Sequence, residues 1–245
     1  MRRTVLVLGA TSAIARATAA AFAARGYDLY LAGRNADELQ RTAMDLALRY
    51  RIRTWSGLFE AEATDSHAAF LMQAIAEAGE IEGVVLALGY LGDQQAARDF
   101  EAGAAVIMVN FTAAASILSH CASYLESRKC GFIIGISSVA GDRGRQSNYV
   151  YGAAKGALSL YLQGLRNRLF ASGVRVITVK PGFVDTAMTY GMAGLFLVAS
   201  PQYIGERIAD ALKNSADVIY VPWFWRYIML IIKTIPEFVF KRLKL

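Results

Sequence analysis

The chain has 245 residues, of which 55% are hydrophobic, so it is long enough to form one α/β domain with a full core. It has only four prolines, no low-complexity tract and no internal repeat, which argues against linkers and disorder. The net charge is +6, and the segment after Pro222 carries +4 of it, from five basic residues and one acid. A basic terminus of this kind favours a membrane surface over nucleic acid as a partner.

The cysteines and histidines argue against a metal centre. Cys121 and Cys130 lack the spacing of metal ligands or of a Cys-x-x-Cys motif, so we interpret them as reduced thiols in a reducing compartment. His67 and His120 form no cluster with other potential ligands. We therefore expect no metal and a cytoplasmic location.

The first residues resemble a secretory signal peptide, because two arginines precede an apolar run over 4–8. The alternative is a buried first strand that ends in a glycine-containing turn. We favour the strand, since the turn at Gly9 and the periodic helix after it need that segment for the core. On this interpretation the chain is not secreted.

Hydrophobic periodicity predicts strands and helices in alternation. Strands are expected over 5–8, 28–32, 53–59, 83–88, 131–137, 175–180 and 218–221. Helices are expected from the turn at 9–15 to about 24, and over about 37–51, 66–78, 102–126, 148–172 and 201–214, with Asp65-Ser66 capping the third. This pattern is typical of a Rossmann-type, doubly wound parallel sheet of seven strands with helices on both faces. We assign that domain to residues 1–222, followed by an apolar and basic helical segment, 223–245.

Ligands of such sheets bind at the carboxyl ends of the strands. The residues that draw attention all follow strands: Gly9, Arg34, Glu60, Gly89, Ser138 and Pro181. The turn after the first strand is the expected dinucleotide site, where helix amides would meet a pyrophosphate. It is poor in glycine, with Ala13 and Ala15 at positions of close approach, so by itself it fits an ordinary strand–helix junction equally well.

Arg34 follows the second strand and bears on the choice of cofactor. A basic side chain at this position can bind the 2′-phosphate of NADP, whereas an acid would bind the 2′-hydroxyl of NAD. The alternative is a solvated loop arginine. We therefore expect NADP(H), with NAD(H) as the alternative.

Tyr151 and Lys155 are separated by one helical turn, so both side chains lie on one face of a helix. A nearby ammonium favours the phenolate, and we expect it to lower the pKa of Tyr151. Ser138 lies thirteen residues earlier and can hold a carbonyl oxygen beside the phenol. The pair alone is weak evidence, because Tyr and Lys are common on exposed helix faces.

Taken together, these residues resemble the short-chain dehydrogenase/reductase family over most of the chain, from Thr4 to about Val221. The matching motifs are Gly9-x-x-x-Ala13-Ile14-Ala15, Gly89, Asn110, Ser138, Tyr151-x-x-x-Lys155 and Pro181-Gly182 followed by Thr186. The resemblance implies an oxidoreductase that passes a hydride between a nicotinamide nucleotide and a carbonyl carbon. It also implies a homodimer or homotetramer.

The resemblance implies a role for each matching residue. Tyr151 would be the general acid, Lys155 would lower its pKa and bind the nicotinamide ribose, and Ser138 would orient the carbonyl. Asn110 would support a proton relay to Lys155. The other implied cofactor contacts are Gly9, Thr11, Ser12, Ala13, Ile14, Arg34, Glu60, Ala87, Gly89, Pro181, Gly182, Val184 and Thr186. The chain departs from the pattern at the second and third glycines of the turn, and it lacks the asparagine before Leu88-Gly89.

A narrower resemblance is to the decaprenylphosphoryl-2-keto-ribose reductases, which reduce a 2-keto sugar attached to a polyprenyl phosphate. It rests on Leu91-Gly92-Asp93, on 110–114, on the loop 141–148 and on the ending from Arg226 to Pro236. It implies a small-molecule or lipid-linked substrate recognised by Arg143, Arg145, Ser147 and Asn148. The alternative is that both arginines are exposed loop residues.

The segment 223–245 is divided by Pro222, Arg226 and Pro236 into pieces too short to span a bilayer. A helix here would put Arg226 and Lys233 on one stripe, opposite Ile228, Ile231, Ile232 and Ile235. With the interface-preferring Trp223, Trp225 and Tyr227, the pattern predicts a helix lying in a membrane surface. The alternative is a helix that covers the substrate pocket or a subunit interface.

Two non-catalytic functions also remain open from the sequence. The missing glycines suggest a degenerate nucleotide-binding fold used for binding or assembly. The apolar and basic ending suggests a scaffold at a membrane surface.

Overall fold

A computed structural model describes residues 3–93, 99–191 and 196–243. Its strands are β1 (Thr4–Leu8), β2 (Asp28–Gly33), β3 (Thr54–Leu58), β4 (Ile81–Leu86), β5 (Phe132–Ile136), β6 (Arg175–Pro181) and β7 (Val218–Val221). Its helices are α1 (Ala13–Ala24), α2 (Ala36–Tyr50), α3 (His67–Ala78), α4 (Phe100–Ile107), α5 (Ala113–Arg128), α6 (Tyr149–Leu169), α7 (Pro201–Asp210), α8 (Trp225–Thr234) and α9 (Glu237–Phe240).

The strands form one parallel sheet in the order β3-β2-β1-β4-β5-β6-β7. Strand order reverses between β1 and β4, which is the topological switch point where doubly wound sheets bind ligands. The predicted seven-stranded, Rossmann-type sheet is therefore confirmed within the described residues. The first apolar run is strand β1 at the centre of the sheet.

Apolar side chains fill both faces of the sheet, because alternate residues of a buried strand point to opposite sides. Leu6 and Leu8 pack with α3, α5 and α6 on one face. Val5 and Val7 pack with α1, α2 and α7 on the other. Because both faces of the sheet are buried, the register of the strands is fixed, and so are the positions of the loops that follow them.

The helix predicted over 102–126 differs from expectation in one place. A π-helical turn, Met108–Thr112, joins α4 to α5, and Asn110 lies in it. The side chain of Asn110 donates to the carbonyl oxygen of Val106, four residues earlier, and to that of Tyr90. Competition of this kind for backbone carbonyls widens a helix locally, and such turns are common at functional sites.

Smaller differences lie at helix ends. The predicted cap of α3 is wrong for Ser66, whose hydroxyl donates to Ala63 O in a 3₁₀ turn over Thr64–Ser66 and caps no amide of the helix. Helix α7 is shorter than predicted and continues as a 3₁₀ turn over Ala211–Lys213. It begins with Pro201 behind Ser200, whose hydroxyl accepts from Tyr203 N.

One helical stretch, Phe100–Arg128, is long and apolar enough by length and composition to cross a membrane. Its inner side chains, including Ile117, Leu118 and Cys121, are fully buried in the core beside the sheet. Core helices of globular domains share this composition, so the stretch is explained by the fold.

Candidate active site

A cavity of about 540 Å³ opens at the carboxyl edge of the sheet. Four loops line it, those after β1, β4, β5 and β6, together with the first turns of α6. Of the predicted residues, the lining contains Thr11, Ser12, Ala13, Ile14, Ala87, Gly89, Ser138, Arg145, Asn148, Tyr151, Lys155, Pro181, Gly182, Val184 and Thr186. The topology therefore brings the predicted proton-transfer residues and most of the predicted cofactor residues to one space.

Lys155 is 2% exposed, and its ammonium is held by backbone oxygens. Nζ donates to Leu88 O at 2.9 Å and to Ile136 O at 3.2 Å, so it joins the loop after β4 to the end of β5. It also lies 5.9 Å from the centre of the Tyr151 ring. Burial penalises the charged form and lowers the pKa of Lys155 from 10.5 to about 7.

Tyr151 is partly buried beside Lys155, and desolvation dominates its ionisation. Desolvation raises the pKa of Tyr151 to about 12, while a hydrogen bond with the Ser138 hydroxyl acts in the opposite direction. The expectation that the ammonium lowers this pKa is therefore wrong. Tyr151 is a neutral phenol near pH 7, which is the form that can donate a proton.

Ser138 begins the loop after β5 in an extended conformation and caps a 3₁₀ turn over Val139–Asp142. Its Oγ accepts from Ala140 N at 3.1 Å. This loop is pressed onto α6, because a methyl group added to Gly152 would lie 2.9 Å from Ala140 O, and one added to Gly141 would lie 2.6 Å from Gly156 N. Close backbone packing therefore sets the distance between Ser138 and the helix that carries Tyr151.

The two helical glycines were not singled out from the sequence. Gly152 and Gly156 flank Tyr151 and Lys155 at a spacing of four residues, which puts both on one face of α6. A small residue repeated at that spacing indicates close approach of another backbone. This signal was present in the sequence and could have been used.

Asn110 is fully buried behind the cavity and does not line it. Its Oδ1 accepts from Tyr90 N at 3.3 Å, in addition to the two bonds that its Nδ2 donates. A methyl group added to Gly89 would lie 3.9 Å from Asn110 Oδ1 and 3.9 Å from Lys155 Nζ. Asn110 thus fixes the loop after β4, and Gly89 in that loop lies close to both Asn110 and Lys155.

The turn after β1 has the features that a pyrophosphate needs. Ser12 caps α1 by accepting from Ala15 N, and the first turn of α1 contains no acidic residue. Helix geometry leaves the amides of Ala13 and Ile14 without an intrahelical acceptor, so they can meet an anion. Ala15 is fully buried in the core, which shows that the helix packs on the sheet with alanine in place of the third glycine.

Gly9, Arg34 and Glu60 do not line the cavity. Gly9 lies behind the turn, where an added methyl would be 2.9 Å from Ala87 O. Arg34 and Glu60 are exposed, beyond the ends of β2 and β3 respectively. They stand on the same edge of the sheet as the turn after β1, so a dinucleotide extending from that turn would pass them.

The loop 142–148 contributes two of its four predicted substrate residues to the cavity. Arg145 and Asn148 line it, and Arg145 Nε and Asn148 Oδ1 are buried polar atoms without a partner within the described residues. Burial lowers the pKa of Arg145. Ser147 is exposed and lies outside the lining.

Arg143 also lies outside the lining, and the prediction that it recognises substrate is not supported by its contacts. Its guanidinium donates to Ile232 O at 2.6 Å and Ile235 O at 2.6 Å, the last carbonyls of α8. It pairs with Glu237 at 2.9 Å and stacks 3.7 Å from the centre of the Phe240 ring. Arg143 thus attaches the C-terminal segment, residues 223–245, to the loop after β5. That loop begins at Ser138 and is called the Ser138 loop below.

The C-terminal segment contacts the other side of the cavity through Trp225. The indole of Trp225 occupies the position that a side chain on Gly182 would take, so only glycine fits there. Trp225 also packs against Phe183, at 5.5 Å between ring centres. It was expected at a membrane interface, but it is buried, because α8 turns this side chain onto the Pro181–Phe183 turn.

An ion pair missed from the sequence links three of these elements. Asp142 accepts a hydrogen bond from Lys180 Nζ and another from Tyr220 Oη, the latter at 2.7 Å. The carboxylate is almost fully buried between the Ser138 loop, β6 and β7. Each of the three residues is unremarkable in its local sequence, so only the tertiary fold could reveal the group.

We expect Lys155→Met to change the pH dependence of stability in the cofactor-free protein. Because the pKa of Lys155 falls from 10.5 to about 7 on folding, the unfolded chain holds an extra proton between those values. Stability of the wild type therefore rises with pH through this window, by on the order of 5 kcal/mol in total. The variant lacks this pH-dependent gain in stability. The carbonyls of Leu88 and Ile136, which lose their partner in the variant, lower its stability by an amount that does not change with pH.

The measurement is calorimetric unfolding of both proteins across that pH window, with exposed Lys213→Met as the matched control. As pH rises, the Tm of the wild type should increase relative to the Tm of Lys155→Met. A difference that stays constant with pH, as expected for the control, would contradict the buried-ammonium assignment.

Comparison with known proteins agrees with this geometry. Residues 3–193 match the short chain dehydrogenase family. An uncharacterised oxidoreductase of Mycobacterium tuberculosis is 35% identical over 240 residues, covering 98% of this chain and 96% of the relative.

Two solved structures share the fold. An alcohol dehydrogenase from the archaeon Thermococcus sibiricus, complexed with 5-hydroxy-NADP, has a TM-score of 0.80 at 21% identity, covering 90% of this chain and 96% of its own. A xylitol dehydrogenase bound to NAD⁺ has a TM-score of 0.81 at 18% identity, covering 89% and 97%. The family match and the Tyr151–Lys155 cavity lead to one conclusion: the chain belongs to the short-chain dehydrogenase/reductase family of oxidoreductases.

Proposed function

We propose that this oxidoreductase interconverts a ketone and a secondary alcohol with NADP(H), and that its substrate is the keto group of a sugar carried on a polyprenyl phosphate. The convergence of Tyr151, Ser138 and Lys155 in one buried cavity carries the reaction class. The cofactor supplies or accepts the hydride, and the side chains position the carbonyl and handle the proton.

The protein's own part in reduction is a proton transfer at Tyr151. Its neutral phenol donates to the substrate oxygen as negative charge develops there, and the Ser138 hydroxyl holds that oxygen. Lys155 stands behind the phenol and can return to its charged form as the phenolate appears, because opposite charges stabilise each other in a water-poor site. Alcohol oxidation uses the same groups in reverse.

Tyr151→Phe tests the reaction class. The variant keeps the ring but loses the proton donor, so we expect turnover to fall by roughly 10²- to 10⁴-fold while nucleotide binding, measured by calorimetry, is retained. Tyr149→Phe is the matched control, since Tyr149 is an exposed residue of the same helix turn. Full turnover by Tyr151→Phe would overturn the proposal.

Arg34 supports the preference for NADP(H). It is exposed directly after Gly33, and a methyl group on Gly33 would lie 3.7 Å from Thr11 in the turn that faces the pyrophosphate. A guanidinium there can pair with a 2′-phosphate. With a solvated Arg34, NAD(H) would serve equally well.

We expect Arg34→Gln to lower the ratio of NADPH to NADH efficiency by about 10- to 100-fold, the value of a charge-assisted hydrogen bond. Initial rates with both nucleotides measure it. Arg41→Gln, an exposed arginine on α2, controls for general loss of positive charge. An unchanged ratio in Arg34→Gln would leave NAD(H) as the better assignment.

Arg145 supports an anionic group on the substrate. A half-buried guanidinium whose Nε has no acceptor destabilises the protein unless a ligand accepts that hydrogen bond. A phosphate oxygen is a strong acceptor for a guanidinium. Apolar side chains such as Phe183, Val184 and Met188 line another part of the same cavity and suit a hydrocarbon chain. An apolar keto substrate without phosphate is the alternative.

Arg145→Gln distinguishes the two substrates. We expect kcat/KM for a phosphorylated keto sugar to fall by about 10- to 100-fold, with little change for the same keto sugar without phosphate. The unphosphorylated sugar is therefore the internal control. Equal losses on both would show that Arg145 does not read the phosphate.

We also propose a homodimer or homotetramer in a cytoplasmic setting. Phe100 at the start of α4, Leu160 on α6 and Phe170 just after α6 are large apolar side chains left exposed, as expected of a surface that a second copy covers. Both cysteines are unpaired, which suits a reducing compartment. Sedimentation velocity and cell fractionation measure these two points directly.

A further inference from the structure

The outer face of the C-terminal segment is apolar and exposed. On α8, Tyr227, Leu230 and Ile231 are 58%, 58% and 66% exposed. Trp223 before α8 and Phe238 in α9 are 66% and 64% exposed. These five residues are called the outer face below. They are clustered in one short segment, whereas the exposed apolar residues of an ordinary surface are scattered singly.

The inner face of the same helix is already occupied. Trp225 and Met229 are buried against Val139, with Ile228 and Ile232 partly buried beside them. The isoleucine stripe predicted to face lipid is therefore divided, since Ile231 points outward and Ile228 and Ile232 point towards the protein. A helix that is apolar on two sides is expected to bury both, so the outer face requires a partner of its own.

Basic side chains surround the outer face. Arg226, Lys233, Lys241 and Arg242 are exposed, and none takes part in an ion pair between described residues. Glu237 is the single acid of the segment, and Arg143 neutralises it. The partner must therefore accept apolar side chains at its centre and offer negative charge around them.

Further exposed apolar side chains lie near the mouth of the cavity, beside the start of α8. Trp225 contacts Phe196 at 5.6 Å between ring centres, and Phe196 is half exposed. Tyr190, Leu197 and Val198 are also exposed nearby in sequence, and Met188 both lines the cavity and reaches the surface. Whatever covers the outer face therefore lies close to the entrance of the active site.

We propose that the outer face docks on an anionic lipid bilayer, with the cavity mouth turned towards the lipid. Aromatic and aliphatic side chains would enter the headgroup region while the four cations meet anionic headgroups. A second copy fits less well, because a twofold interface would bring the same cations together from both chains. The proposal concerns binding alone, so it stands even if the sugar substrate proposed above is wrong.

The docking surface is also connected to both sides of the active site. Arg143 holds the end of α8 to the Ser138 loop, and Trp225 at its start rests on Gly182. Deleting the segment would therefore damage the cavity as well as the docking surface. Point substitutions on the outer face leave Arg143 and Trp225 in place, because they change side chains that are mostly exposed to solvent.

The experiment is co-sedimentation of the full chain with phosphatidylcholine vesicles and with mixed phosphatidylcholine–phosphatidylglycerol vesicles. We expect binding to the anionic vesicles to be about 100-fold tighter and to weaken with added salt. Leu230→Ser/Ile231→Ser should weaken binding to the anionic vesicles by about tenfold or more. Arg226→Glu/Lys233→Glu should abolish the preference for them.

Two double variants are the matched controls. Met44→Ser/Leu48→Ser removes exposed apolar side chains from α2, which packs on β2 and β3 at the far edge of the sheet. Arg207→Glu combined with Arg41→Glu makes the same change of net charge elsewhere. Circular dichroism and nucleotide binding confirm that each variant is folded, and neither readout needs a substrate.

Three results would overturn the proposal. The first is that the wild type binds neither kind of vesicle. Another is equal loss of binding in the outer-face variants and their controls, which would indicate nonspecific adsorption. The third is conversion of an oligomer to a smaller species by Leu230→Ser/Ile231→Ser with vesicle binding unchanged, which would assign the outer face to a second copy.

Discussion

The ammonium of Lys155 is a cation enclosed in the carboxyl edge of a parallel sheet, and the rest of the site is arranged around it. Its two hydrogen bonds go to Leu88 O, in the loop after β4, and to Ile136 O, at the end of the neighbouring strand β5. Such a group opposes folding, because the hydrogen bonds of its ammonium within the described part of the chain go to neutral carbonyl oxygens, which compensate its desolvation only in part. A cavity that stores this unfavourable charge is organised for a ligand or a transition state that uses it.

The same constraint explains why Tyr151 is a protonated acid at rest. In a water-poor cavity neither partner is stable in its charged form alone, and the pKa values move towards the neutral pair. In the proposed reduction, charge separation becomes favourable only when negative charge develops on the oxygen that accepts the proton. The distance between Ser138 and Tyr151 matters for that step, and the contact of Gly152 and Gly156 with the backbone of Ala140 and Gly141 sets it.

The C-terminal segment is part of this arrangement. It joins the loops on the two sides of the cavity through Arg143 and Trp225. A second link is made by Asp142 of the Ser138 loop, which accepts hydrogen bonds from Lys180 on β6 and Tyr220 on β7. These contacts join the segment 223–245, which was not expected to be an independent domain, to the domain of residues 1–222. The loops that line the two sides of the cavity share one support.

The strand pattern and the spacing of Ser138, Tyr151 and Lys155 were enough to predict the sheet and the centre of the site, because parallel strands bring their carboxyl ends together. Arg143 could not be assigned, since its partners lie about ninety residues later in the chain. Trp225 was misplaced because a helix that is apolar on two sides does not reveal which side meets the protein. The π turn at Asn110 and the raised pKa of Tyr151 depend on tertiary contacts and burial, which periodicity does not report.

The central claim is that the cavity of Tyr151 and Lys155 holds the nicotinamide nucleotide. A crystal structure of the chain with NADPH tests it most directly. The account predicts the pyrophosphate at the amides of Ala13 and Ile14, and the nicotinamide between the Pro181–Thr186 turn and Tyr151. A nucleotide bound outside this cavity, or bound with its nicotinamide away from Tyr151, would contradict it.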